Sequence, residues 1–153
     1  MLITRRLEFD AGHRIPHHAS QCRHLHGHRY AIEITLSGKI NDTEGAAGQG
    51  MVKDFSDVKT IANSVLVKHW DHAFLVYRED RAVVAFLATL PEHKTVVLPM
   101  VPTAENLAAE AFRILDAAYL DTYGTQLRLE RVRLYETPSN WADAVRDAAA
   151  PSS

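Results

Sequence analysis

One stretch of the chain reads His26-Gly27-His28-Arg29-Tyr30-Ala31-Ile32-Glu33-Ile34-Thr35-Leu36-Ser37. From its start, every second residue shares one face, and that face is apolar from Tyr30 to Leu36 while the other is largely polar. This period of two is typical of a strand with one buried face. The buried face begins with His26 and His28, so both imidazoles are expected to point the same way. The stretch therefore predicts a long strand that carries two histidines at one end.

The residues before this stretch predict a partner strand. From Ile3 onward, Leu7, Phe9, Ala11 and His13 alternate with polar neighbours, so His13 ends on the apolar face of a second half-buried strand. Residues 14–25 form a polar loop between the two strands. We therefore expect His13 to lie beside His26 and His28.

The rest of the chain predicts helices and two further strands. Asp54 precedes a helix with apolar residues at helical spacing, and Thr103 is the expected N-cap of a second, longer helix. A shorter helical piece is expected around 80–89, followed by an extended run at 94–98. Strands are predicted at 127–136 and at 141–145. The first of them is expected to contain a bulge near Glu130, because its early leucines are out of phase with the later valine and leucine.

This order of elements predicts an α+β domain, with an antiparallel four-stranded sheet covered on one face by two helices. The length of 153 residues fits one domain. We assign that domain to residues 1–146 and expect 147–153 to be a frayed C-terminal tail.

Composition argues against several classes of protein. The formal net charge is −2, and basic residues form no cluster, which disfavours nucleic-acid binding. Apolar runs are far shorter than the roughly 20 residues that cross a bilayer. The chain enters a strand pattern directly after Met1, without a secretory signal pattern, so we expect a cytoplasmic protein with no membrane role. A single cysteine excludes an intrachain disulfide framework.

Histidine is the unusual component. Six of the nine histidines, at positions 13, 17, 18, 24, 26 and 28, fall in one short stretch. Three neutral imidazoles bind tetrahedral zinc and leave its fourth position open to water or substrate, which is the pattern of catalytic sites. A lone His-x-His pair is weak evidence, but His13 at the adjacent strand end strengthens it. The predicted ligands of Zn2+ are His13, His26 and His28.

Other residues near this cluster permit two interpretations. Cys22 is either a buried, inert thiol or a thiolate that serves as a general base. Asp71 and His72 form either a chance dipeptide or a carboxylate–imidazole pair that moves protons.

Several motifs together resemble a known family. They are Phe9-x-Ala11-x-His13, Cys22-x-x-x-His26-Gly27-His28, Asp71-His72, Pro102-Thr103-x-Glu105-Asn106 and Tyr135-Glu136-Thr137-Pro138. In this order, and over nearly the whole chain, they resemble the 6-pyruvoyltetrahydropterin synthase and 6-carboxytetrahydropterin synthase family.

The resemblance implies a role for each motif residue. His13, His26 and His28 are the implied zinc ligands, Cys22 the general base, and Asp71 with His72 the proton relay. Glu136 is the implied anchor of the pterin ring. Thr103 and Glu105 match positions near the pterin, although a helix cap and a first-turn acid explain them equally well.

The resemblance also implies a fold, an assembly and a reaction. The fold is the tunnelling fold (T-fold), whose subunits join through sheet edges into barrel-like homo-oligomers, as a trimer or a dimer of trimers, with shared active sites. The implied reaction converts 7,8-dihydroneopterin triphosphate to 6-carboxy-5,6,7,8-tetrahydropterin, with release of acetaldehyde and triphosphate, in the queuosine (7-deazaguanine) pathway. The alternatives are a 6-pyruvoyltetrahydropterin synthase, which eliminates triphosphate only, and a non-catalytic zinc- or pterin-binding protein.

Overall fold

The two histidine-bearing segments form a long antiparallel hairpin, as predicted. Strand β1 spans Leu2–His13 and strand β2 spans His26–Gly38. They pair from Leu2 opposite Ser37 to His13 opposite His26. The computed structural model describes residues 1–147, so the predicted tail beyond residue 147 lies outside the described residues.

The other elements follow in an order close to the predicted one. They are α1 (Phe55–Ala62), α2 (Lys68–Trp70), β3 (Ala73–Tyr77), α3 (Arg81–Ala88), β4 (Thr95–Leu98), α4 (Ala104–Tyr123), β5 (Leu127–Thr137) and β6 (Asn140–Val145). A π-helical segment, Asn63–Val67, joins α1 to α2. The predicted caps are present, because the side chains of Asp54 and Thr103 accept hydrogen bonds from backbone N–H groups at the starts of α1 and α4.

The sheet differs from the prediction of four antiparallel strands. It has six strands in the order β4-β3-β1-β2-β5-β6. Strand β3 pairs in parallel with the end of β1, where Ala11 lies opposite Ala73, and β4 pairs in parallel with β3. The prediction was wrong because β3 is apolar on both faces and shows no alternation, which hides a short buried strand from a search for period two.

Helices cover the two faces of the sheet unequally. On one face α1 and α4 enclose the main core, which includes the fully buried Ile32, Ile34, Leu107 and Leu115. On the opposite face α3 packs against Val76 of β3 through Val83 and Leu87. The sequence predicted only the first layer, and the second explains why β3 is apolar on both sides.

The predicted bulge in β5 is confirmed. Thr35 lies opposite Arg131 and Leu36 lies opposite Leu129, so Glu130 is the extra residue. The bulge brings Leu129 back to the core face that Leu134 also occupies, and both are fully buried. It therefore keeps the far end of β5, where Glu136 lies, on the same face as the histidines.

Within residues 1–147, no helix combines the length and hydrophobicity that crossing a bilayer requires.

Candidate metal centre

The three predicted imidazoles converge at one end of the hairpin. Ring centroids lie 4.5 Å apart for His13 and His26, 5.1 Å for His13 and His28, and 4.9 Å for His26 and His28. Each ring offers a nitrogen within 4.8 Å of the others. The pairing of β1 with β2 brings the three rings together, because His13 lies opposite His26 and His28 follows His26 on the same face.

Backbone carbonyls fix the orientation of two of these rings. Nδ1 of His13 lies 2.8 Å from the carbonyl oxygen of Pro102, and Nδ1 of His26 lies 2.7 Å from that of His24. A carbonyl oxygen only accepts, so each Nδ1 carries the proton and each neutral ring presents a lone pair at Nε2. The two lone pairs point into the same space.

The resulting donor set fits a metal ion. The Nε2 atoms of His13 and His26 are 3.1 Å apart, so two lone pairs face each other without a shared proton. A cation between them removes this repulsion. Zinc–nitrogen distances of about 2.0–2.1 Å give a tetrahedral edge of about 3.3 Å, close to the observed separation.

Burial favours the neutral form of two of the three rings. His13 is completely buried and His28 is partly buried. For both rings, desolvation is the main cause that lowers the pKa from its ordinary value. Neutral imidazole is the form that binds metal, so burial prepares these rings to act as ligands.

The lowered pKa values predict how acid affects the metal-free protein. The unfolded chain takes up protons at these histidines near pH 6.5, whereas the folded chain resists them. We therefore expect the free energy of unfolding to fall as the pH drops below about 6.5. Thermal melts of chelator-treated protein, from about pH 8 to about pH 5, measure this effect. A flat profile would refute the lowered pKa values of His13 and His28.

Glu136 of β5 lies directly beside the cluster. Its Oε1 atom is 3.6 Å from Nε2 of His13 and 4.0 Å from Nε2 of His28. The side chain is about one fifth exposed, at 20%, so a ligand at the metal position has access to the carboxylate. This is the predicted anchor residue, and the structure brings it together with the histidines.

Tyr30 was not identified as a site residue from the sequence. It lies on the same face of β2 as His28, packs edge-on against His13 and His28, and stacks on Phe9. Its hydroxyl is buried and has no hydrogen-bond partner among the described residues. Burial is the main cause that raises the pKa of this hydroxyl, and the nearby Glu136 carboxylate adds to the effect. The signal available in the sequence is a tyrosine that follows the two histidines on the buried face of β2 and precedes three aliphatic residues.

Cys22 lies in the loop that connects the hairpin strands. It sits partly buried in a 3₁₀ turn, Gln21–Arg23, and its carbonyl oxygen accepts a hydrogen bond of 2.8 Å from the backbone N–H of Ile15. The base of the loop is tied to the start of α3, because the Arg14 guanidinium donates to both carboxylate oxygens of Asp80. The thiol is free, and the loop that holds it connects the two strands that carry the three histidines.

Asp71 and His72 form a separate group with Asp10. Oδ1 of Asp71 accepts from the Asp10 N–H and lies 3.0 Å from Nδ1 of His72. The His72 N–H donates to the Asp10 carbonyl oxygen at 2.6 Å, and His72 adopts a left-handed φ of 58°. The His72 side chain is largely exposed, at 77%. Among the described residues, this group shares no ligand atom with the three-histidine cluster.

Thr103 and Glu105 begin helix α4. The Thr103 hydroxyl accepts a hydrogen bond of 3.3 Å from the Asn106 N–H, and Glu105 is an exposed first-turn acid. Thr103 directly follows Pro102, whose carbonyl orients His13. The capping interpretation is confirmed, while a contact with a ligand stays a prediction.

Comparisons with known proteins agree with this arrangement. A family model described as 6-pyruvoyl tetrahydropterin synthase matches residues 2–147. The 6-carboxy-5,6,7,8-tetrahydropterin synthase of Rickettsia bellii is 34% identical over 137 residues, covering 89% of this chain and 94% of the relative. The protein of the same description from Haemophilus influenzae is 32% identical over 143 residues, covering 92% and 96%.

Solved structures show the same fold. An uncharacterized protein from Wolinella succinogenes superposes with a TM-score of 0.77 at 20% identity, over 96% of this chain and 98% of its own. The 6-pyruvoyl tetrahydropterin synthase of Caenorhabditis elegans superposes with a TM-score of 0.66 at 24% identity, over 96% of each chain.

Proposed function

This chain belongs to the 6-pyruvoyl tetrahydropterin synthase family, and on that premise we propose that it is a cytoplasmic, zinc-dependent 6-carboxy-5,6,7,8-tetrahydropterin synthase. Its substrate is 7,8-dihydroneopterin triphosphate, and its products are 6-carboxy-5,6,7,8-tetrahydropterin, acetaldehyde and triphosphate, in queuosine biosynthesis. The observation that carries the proposal is the three-histidine cluster with Glu136 beside it, in a chain about one third identical to relatives of that description.

The proposed zinc ligands are His13, His26 and His28. Zinc bound there supplies Lewis-acid polarisation of the hydroxyl groups on the pterin side chain. The protein's own contribution is orientation, because the carbonyl oxygens of Pro102 and His24 fix the tautomers of His13 and His26 and leave their Nε2 atoms free to bind an ion. Burial of His13 also keeps water away from one side of the site.

Cys22 is proposed to act as the general base. A thiolate is the reactive form, and a divalent ion nearby favours it by lowering the thiol pKa. Cys22 lies in the loop that connects the two histidine-bearing strands, and its proposed role is to accept a proton from a side-chain carbon of the substrate. Asp71 and His72 then move protons as the side chain tautomerises.

Glu136 is proposed to recognise the pterin ring. An ionised carboxylate accepts hydrogen bonds only, which suits the N–H donors on the pyrimidine-like edge of a pterin. Thr103 and Glu105 are proposed as further pterin contacts, because they follow Pro102 at the edge of the site.

The active site is proposed to be shared between subunits of a homo-oligomer, a trimer or a dimer of trimers. Within one chain, Asp71 and His72 form a group separate from the histidine cluster. We therefore propose that a neighbouring chain supplies Asp71 and His72 to each site. Strands β4 and β6 end the sheet and expose Val97 and Trp141. Such edges are satisfied by pairing with another copy.

Product analysis tests the proposed reaction. Zinc-loaded protein given 7,8-dihydroneopterin triphosphate is expected to yield 6-carboxytetrahydropterin and acetaldehyde, both identified by mass spectrometry. A 6-pyruvoyl product without acetaldehyde would instead support triphosphate elimination alone. Binding of pterin without any turnover would make the chain a non-catalytic binder. Protein treated with a chelator is the matched control, and its turnover should return when zinc is added.

A further inference from the structure

We propose that Tyr30 is a positioning residue whose hydroxyl donates a hydrogen bond to the Glu136 carboxylate when a pterin occupies the site. This inference rests on the proposed function, in which the Glu136 carboxylate binds the pterin ring. It adds that Tyr30 holds that carboxylate in the orientation that binding requires. Without that hydrogen bond, the carboxylate is left to rotate between the imidazoles and the ligand.

The two groups are neighbours on adjacent strands. Ala31 of β2 pairs with Tyr135 of β5, so the next positions along the ladder, Tyr30 and Glu136, lie opposite each other. Both side chains point to the histidine side of the sheet. Directly opposed side chains have Cβ atoms about 4.5–5.5 Å apart, which is within reach of a hydrogen bond between long side chains.

Each group lacks the partner that the other offers. The Tyr30 hydroxyl is a buried donor with no acceptor among the described residues. The Glu136 carboxylate faces Nε2 of His13 and His28 at 3.6 Å and 4.0 Å, and the His13 atom carries a lone pair because its proton is on Nδ1. The Glu136 carboxylate and Nε2 of His13 are both acceptors, so they form no hydrogen bond with each other. A carboxylate accepts at up to about four lone-pair positions, so Glu136 can bind a pterin and Tyr30 together.

The tyrosine ring is held in place for this role. It stacks on Phe9 at 5.3 Å between centroids and meets the edges of His13 and His28 at 6.0 Å and 5.7 Å. The residue is completely buried, so the hydroxyl cannot turn outward to find water. A polar group kept buried without a partner weakens the free protein, and a ligand-dependent partner explains why it is present.

Tyr119 provides a matched control in the same chain. It is also a completely buried tyrosine, but its hydroxyl donates to the Val58 carbonyl oxygen at 2.9 Å, in the helix layer. Replacing each tyrosine with phenylalanine removes one oxygen atom and preserves the ring. If Tyr30 is unpartnered in the free protein, Tyr119→Phe should therefore lower stability and Tyr30→Phe should not.

The experiment measures melting temperature without ligand and affinity for neopterin by calorimetry on zinc-loaded protein. We expect Tyr30→Phe to keep or raise Tm while weakening neopterin binding about tenfold, which corresponds to about 1.4 kcal/mol. Tyr119→Phe should lower Tm by about 2–4 °C and leave affinity unchanged. Adding Tyr30→Phe to Glu136→Gln should cost little further affinity, because the hydroxyl acts through the carboxylate.

Two results would overturn the inference. One is a Tyr30→Phe protein that binds neopterin as tightly as the parent, and the other is a loss of Tm comparable with that of Tyr119→Phe. Full additivity in the double variant would show that Tyr30 acts independently of Glu136. If the parent protein itself fails to bind neopterin, the proposed function fails instead, so the two failures are distinguishable.

Discussion

Replacing Cys22 with alanine is expected to reduce turnover of 7,8-dihydroneopterin triphosphate by about 10²–10⁴-fold, the range that a general base contributes. Zinc content should stay at its parent level, because the proposed ligand set consists of three imidazoles and contains no sulfur. Steady-state turnover and metal analysis on the same preparation measure both quantities. The effect should fall on kcat, since the proposed role of Cys22 is to remove a proton and not to hold the pterin ring.

The Cys22→Ser variant tests whether catalysis needs a side chain that ionises or only one of similar shape. Serine nearly preserves the shape of the side chain but does not ionise near neutral pH, so Cys22→Ser should be about as inactive as Cys22→Ala. Loss of zinc together with activity would make the cysteine a ligand. A rate close to that of the parent would remove Cys22 from the mechanism.

Replacing His28 with alanine is expected to weaken zinc binding by more than about a hundredfold, because even partners that only orient a ligand contribute 10–100-fold. Turnover should be lost with the metal, since Lewis-acid polarisation is no longer available. His26→Ala should behave in the same way. Competition with a chromophoric chelator measures the affinity, and circular dichroism checks that the variants are folded.

His24 is the matched control for this prediction. It is the same type of residue two positions before His26, and its side chain is exposed. Only its backbone carbonyl contacts the site, through Nδ1 of His26, so His24→Ala should retain zinc and turnover. Full zinc content in both His26→Ala and His28→Ala would mean that the metal site has been misassigned.

The parts of the site that follow a single strand period were predictable from the sequence. Alternation placed His13, His26 and His28 on the buried faces of two strands, and the hairpin register then brought them together. The phase change in β5 likewise predicted the bulge at Glu130. In these cases the pattern and the structure depend on the same local geometry.

Contacts between distant segments were not predictable in this way. The Pro102 carbonyl that orients His13 lies 89 positions along the chain, and no local pattern links the two residues. The opposition of Tyr30 and Glu136 depends on the register of β2 against β5, which a bulge shifts by one residue. Strand β3 was missed because burial on both faces removes the alternation by which strands are recognised.

The hairpin that carries all three imidazoles also sets the order in which the site is synthesised. Residues 2–38 include every proposed zinc ligand, whereas Glu136 leaves the ribosome about 100 residues later, which is about 5–20 s at ordinary rates of translation. The nascent chain thus possesses a complete set of metal-binding side chains before α4 and β5 exist. An ion captured then would close the loop between β1 and β2 and lower the entropic cost of forming the longest strand pair in the sheet. The proposed zinc site therefore predicts that folding yield, as well as activity, depends on the zinc available during translation.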